Sequence, residues 1–144
     1  MDAKRYMDEI VEPTINDFEA NPTSARHGFL ACVVTFHAVD YLTHPQKAAT
    51  KRNLFKAESP EFAFVDRVAH AFKHVQSGHE TSAQRPSLNA SDVIPRPPAF
   101  WDVAIWDLSR WDDAVGGVTI KGQHQHDLLD IVKRATQYLY TKIA

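Results

Sequence analysis

The chain holds eight histidines among its 144 residues, and histidine is the side chain most used both to bind metals and to move protons near neutral pH. Two short runs give these histidines polar company. His37, Asp40 and His44 are spaced three and four apart, and so are Arg67, His70 and His74. On helices each set projects from one side. If the two helices are antiparallel neighbours, the sets meet. One chemistry open to them is metal binding. His70 and His74, one turn apart, can reach one divalent ion, with His37 or His44 as a third imidazole and Asp40 as a ligand or as the acceptor that orients a ring. The His-Glu-x-x-His pattern of zinc proteases is absent, because Ala71, Phe72 and Lys73 lie between the pair. The other chemistry is acid–base cleavage of RNA. Arg67 and His74 lie two helical turns apart and face the same way. Arginine would hold a phosphate in its planar fork, and His74, aided by His37 and Asp40, would shuttle the proton. The plain alternative is that these imidazoles are hydrogen-bonded within the fold and do no chemistry.

Two other features bear on function. Cys32, the single cysteine, lies in an apolar helical stretch and reads as a small buried hydrophobe rather than a nucleophile. Trp101-Asp102, Trp106-Asp107 and Trp111-Asp112 form a local repeat of period five. That period fits neither a helix face nor a strand's alternation, and the chain is too short for a propeller of Trp-Asp repeats. The tryptophans therefore read as anchors over the bundle end or at a dimer contact.

The elements that must position these groups follow from the apolar pattern. Tyr6, Met7, Ile10, Val11, Ile15 and Phe18 mark one face of a first helix, which Pro13 should kink or divide. Asn21-Pro22 breaks it, and Thr23 or Ser24 can cap a second helix over about 25–42 that is apolar nearly all round, as a central helix is. His44-Pro45 closes that helix. Residues 46–57, with Lys47, Lys51, Arg52 and Lys56, predict a surface helix with a solvated charged face. Ser59-Pro60-Glu61 starts the next, which should run to Ser77 and stop at Gly78, burying Phe62, Val65, Ala69, Phe72 and Val75 or Gln76. Residues 79–100, with Pro86, Pro95, Pro97 and Pro98, predict a long connection packed on the body or on a partner chain. Val118-Thr119-Ile120, Lys121-Gly122 and 123–125 predict a small hairpin. Asp127 should cap a last helix with a clean apolar stripe from Leu128 to Leu139.

The Arg67–His74 pair resembles the arginine–histidine motif of HEPN-domain ribonucleases, helical bundles that pair so that two copies of the motif meet. The resemblance covers this helix and the all-helical setting. It departs at Val68, where that family commonly has a polar residue. A broader likeness runs through Phe36–Tyr41, Asp66–His74, the hairpin and Asp127–Asp130. It is similar to a small uncharacterised bacterial all-helical family, and it marks His37, Asp40, Lys73 and His74 without implying a reaction. The metal reading, in turn, resembles the DinB-like bundles.

Composition sets the remaining bounds. With 44% hydrophobic and 24% charged residues the usage is that of a globular domain, and a net charge of -2 gives no global pull toward nucleic acid. No apolar run approaches a membrane span, and the N-terminal residues lack a signal-peptide core, so a cytoplasmic address is expected. The reading is a single mainly α domain over 1–144: a four- to five-helix bundle with a small β-hairpin before the C-terminal helix. It is expected to be a homodimer acting as an interaction module, with no resident cofactor expected. A HEPN-like ribonuclease and a histidine-based metal binder stand as alternatives.

Overall fold

The computed structural model describes residues 1–77 and 87–143. Helix α1 spans residues 3–20 in three stretches, Ala3–Tyr6, a wider π-helical turn at Met7–Val11, and Glu12–Ala20. Pro13 neither ends nor divides it. A proline has no N–H to donate up the helix, and the wide turn lies just before it, where Thr14 donates its hydroxyl to the Ile10 carbonyl at 2.6 Å. The turn also shifts the apolar register: Met7, Val11, Ile15 and Phe18 are buried, whereas Ile10 emerges 37% exposed.

Helix α2, Ala25–Thr43, starts where Ser24 accepts the N–H of His27. It is the centre of a bundle with α1, α4 (Pro60–His74) and α5 (Leu128–Tyr140), as its nearly all-round apolar surface predicts. Phe18, Val39, Phe62, Val65, Val68, Leu128, Val132 and Leu139 are fully buried among these four helices. The short helix α3, Ala49–Glu58, lies on the outside with Phe55 turned inward. It begins three residues later than the charge pattern predicts, so Lys47 precedes its first turn.

Helix α4 is capped by Ser59, whose hydroxyl accepts the N–H of Phe62 at 3.1 Å. It ends at His74 rather than at Ser77. Val75 takes left-handed geometry with φ of 68°, and its carbonyl accepts the N–H of Ala90 at 2.8 Å. The chain then turns into strand β1, Gln76–Ser77, which pairs antiparallel with β2, Leu88–Asn89. Strand pairing supplies the hydrogen bonds that another helical turn would have made. Phe72, within α4, and Val75, just after it, sit outside the core, although Phe72 stacks on Phe29 at 4.8 Å. The expected stop at Gly78 lies outside the described residues.

The predicted antiparallel strand pair before the last helix is present. Strand β4, Gly117–Ile120, does not pair chiefly with the residues after Lys121-Gly122; only one bridge, Ile120 to Gln123, closes that turn. Its main partner is β3, Val93–Arg96, from within the segment read as an irregular connection. Two prolines flank and interrupt that strand, which hides its pattern, but an edge strand tolerates them. Residues 97–116, tryptophans included, form the loop joining β3 to β4. Asp127 caps α5 as expected, accepting the N–H of Asp130. Among the described residues no helix is long and apolar enough to cross a membrane.

Candidate functional site

The two polar helices are neighbours, α2 packing on α4, and their imidazoles share one apolar ring. Phe36 meets His37 and His70 edge-on, each at 5.0 Å between centroids, and the Arg52 guanidinium from α3 covers its face at 4.2 Å. Hydrogen bonds fix both imidazoles. His37 Nδ1 lies 2.9 Å from Asp40 Oδ2, and the other Asp40 oxygen accepts from Arg52 at 2.9 Å. His70 Nδ1 lies 2.8 Å from the Asp66 carbonyl. A carbonyl only accepts, so Nδ1 of His70 carries the proton and Nε2 is its basic nitrogen. Asp66, nearly buried, lies 3.7 Å from Lys56.

The larger constellation divides. His37, Asp40 and His44 border a cleft of about 560 Å³ with Tyr6 and Tyr41, whose rings stack at 3.9 Å. Burial, reinforced by Tyr41 and Asp40, pushes the Tyr6 phenol up to about 12. His70 and His74 instead stack on each other along α4 at 6.2 Å. The Arg67 guanidinium lies 5.9 Å from the Phe64 ring, which in turn meets His126. Thus His37 and His70 flank one ring, His70 and His74 stack on each other, and the Arg67 guanidinium lies near the Phe64 ring. Among the described residues no three His, Cys, Asp or Glu groups gather as a metal site requires. The first reason is local: the nitrogens facing their own helices are already engaged. The second is that the side chain shared by His37 and His70 is a phenyl ring. Cys32 is fully buried, and burial pushes its thiol up, as an inert core residue requires.

The second site is the loop at 97–116, where the period of five has a simple cause. The carbonyls of Phe100, Ile105 and Arg110 each close a turn: Phe100 accepts from Val103 and Ala104, Ile105 from Leu108 and Ser109, and Arg110 from Asp113. The loop is a ladder of three successive turns, and a Trp-Asp pair forms the corner of each. A corner residue has its neighbours bonded behind it, so its side chain is driven outward. Trp101, Trp106 and Trp111 are accordingly 94%, 82% and 83% exposed. Trp106 and Trp111 meet edge-to-face at 5.7 Å beside an open depression of about 320 Å³ that Phe100, Trp101, Ile105 and Arg110 also line. Ser109 ties the middle rung down, donating to the Pro97 carbonyl and accepting from the Ile105 N–H.

The ladder is fixed to the body by a residue that the sequence pattern does not reveal. Arg96, at the end of β3 and almost wholly buried, reaches Asp113 at 2.8 Å and Asp127 at 2.9 Å. One guanidinium so joins the sheet, the last rung of the ladder and the cap of α5. Burial works against its charge, but the two carboxylates outweigh this and raise its pKa. Asp113 is held below the usual carboxylate range. Burial works in the other direction, but Arg96 and the N–H groups of Gly116 and Val115 prevail. Glycine is required next to this clamp. A Cβ on Gly116, where φ is +72°, would lie 2.5 Å from the Arg96 carbonyl, and one on Gly117 would lie 2.7 Å from its guanidinium. The signal that might have exposed the clamp is the Gly116-Gly117 pair beside an arginine in a proline-rich strand. A long-range ion pair has no spacing to read.

No family model matches the chain, and neither the curated proteins nor the solved structures compared with it give a match.

Proposed function

We propose that this protein is an interaction module that pairs with a second copy of itself through the tryptophan ladder. The observation that carries this reading is the exposure of three tryptophans on a loop held by internal turns and a buried ion-pair clamp. Small monomers rarely leave so much contiguous apolar surface uncovered. Tryptophan is also the residue most enriched among those that dominate interface energy. A floppy loop would lose much of that energy in ordering itself; this one is already ordered by its turns. The cytoplasm, as the compartment, fits a chain whose only cysteine is buried.

The ladder gives less support to an RNA partner, since each tryptophan is followed by an aspartate that would repel phosphate. The ribonuclease reading rests instead on Arg67 and His74, and incubation of His74→Ala and unaltered protein with RNA checks it. Equal or absent cleavage by both removes that reading.

Light scattering after size exclusion tests the proposal. The unaltered chain is expected near twice its 16.3 kDa mass. Trp106→Ala should weaken pairing about 30-fold or more, equivalent to a loss of about 2 kcal/mol, with helicity unchanged. A chain that stays monomeric at high concentration, or a variant that pairs as well as the original, overturns the reading.

A further inference from the structure

The way the two copies meet is constrained by charge. Asp102, Asp107 and Asp112 are exposed beside the tryptophans, and none makes an ion pair among the described residues. Two ladders face to face would bring six like charges together, so the ladder must seat on something cationic. Several basic side chains already have acidic partners: Lys4 with Asp8, Arg52 with Asp40, Lys56 with Asp66, Lys133 with Glu19 and Lys142 with Glu58. Among the exposed cations that make no such pair within 4.0 Å among the described residues, which include Arg26, Lys73 and Lys121, Lys47 and Lys51 are the two that lie within four residues of each other. Beside Lys51, one turn along α3, stands Leu54, 46% exposed. The N-terminal part of α3 and the turn before it so offer two cations and an apolar side chain, matching carboxylates and indoles that can take both salt bridges and cation–π contacts.

The fold keeps these surfaces apart within one copy. The ladder is anchored at the N-terminal end of α5 through Asp127. Helix α3 is anchored at the other end, where Glu58 accepts from Tyr138 at 2.5 Å and from Lys142 at 2.6 Å. Between them lies the length of α5, about 20 Å at the rise of an α-helix. A two-fold axis that sets two copies antiparallel turns this separation into a match, because each ladder then meets the other copy's α3 and both contacts form at once.

We infer that the partner surface for the tryptophan ladder is the surface formed by Lys47, in the turn before α3, with Lys51 and Leu54 of α3, in a second copy and exchanged reciprocally. This rests on the self-association proposed above, and the test separates the two. One variant carries D102K, D107K and D112K, and a second carries K47E and K51E; Arg52 and Lys56 are left alone because they hold Asp40 and Asp66. Each variant is first checked for native helicity by circular dichroism. Neither should pair with itself, because ladder and seat then carry the same sign. An equimolar mixture should form a heterodimer of about twofold mass, because both reciprocal contacts are again complementary. If K47E/K51E pairs as well as the unaltered protein while Trp106→Ala does not, the seat lies elsewhere and this inference fails with self-association intact. Variants that are monomeric alone and stay monomeric when mixed also overturn it. An unaltered protein that never pairs overturns both.

Discussion

Arg96 is the residue on which the ladder most depends. Its side chain is 3% exposed and its partners Asp113 and Asp127 are 12% and 26% exposed, so removing the guanidinium would leave two poorly solvated carboxylates facing each other. Arg96→Ala should therefore lower stability by about 3 kcal/mol, the range expected when one partner of a buried ion pair is deleted, as measured by urea denaturation. Acid should act on the same clamp. The folded-state pKa of Asp113 lies below its ordinary value of 3.8, so the folded chain binds fewer protons there than the unfolded one. Its contribution is complete above the ordinary carboxylate value and is lost as pH falls through the lower folded value. Tryptophan emission should change in that acid interval, and the step should vanish in Asp113→Asn. An unaltered acid profile in that variant would show that the clamp does not govern the ladder. His37 and His70 are oriented in a different sense: their Nδ1 atoms are committed to Asp40 and to the Asp66 carbonyl. Imidazoles held this way are well placed as structural donors around Phe36.

At the scale of elements, local rules and long-range pairing compete, and the ends of α4 show both outcomes. Its start obeys the local rule. Ser59 is the cap that the Ser-Pro-Glu signature predicts, and Ser59→Ala should cost about 1 kcal/mol in thermal denaturation. Its end does not. Val75 is a β-branched residue in left-handed geometry and 75% exposed, an arrangement that glycine adopts without penalty. Val75→Gly should thus stabilise the protein by about 1 kcal/mol, since no packing is lost. A decrease would show that the extra freedom of glycine in the unfolded chain outweighs the strain relieved. Nothing in the local sequence announces this end. It is imposed by Leu88 and Asn89, which pair with the chain after Val75. Strand β3 was hidden for the same reason. Val93–Arg96 carries a proline and too few residues for an alternation to register, and only pairing with β4 makes it a strand.

Across the whole molecule, α2 and α5 both present their N-terminal ends to the ladder and their C-terminal ends to α3. Thr23, just before α2, lies against Gly116, and Asp127 caps α5 beside Arg96, whereas Asp40 and Tyr138 meet α3 at Arg52 and Phe55. The ladder and α3 so lie toward opposite ends of these two helices. Self-association makes stability depend on concentration, because pairing draws on the folded state alone. Melting temperature should rise as the protein is concentrated from micromolar to hundreds of micromolar, and this rise should disappear in Trp106→Ala. A melting temperature that ignores concentration would argue against pairing.

The sequence by itself determined that the helices exist, the caps at Ser59 and Asp127 and most of the four faces that form the core, and it left the cap of α2 to Thr23 or Ser24. Each of these depends on residues within one or two turns of one another, and such spacing is visible in a linear string. It also singled out the two groups of residues considered above, the histidines of α2 and α4 and the Trp-Asp repeat. Only the tertiary structure decided what they amount to. Phe36 lies against the imidazoles of both His37 and His70, the repeat becomes a ladder of turns, and Arg96 joins β3 to Asp113 and Asp127. Those outcomes depend on side chains far apart in the chain meeting in space, and their energy comes from burial and charge pairing that no local pattern encodes.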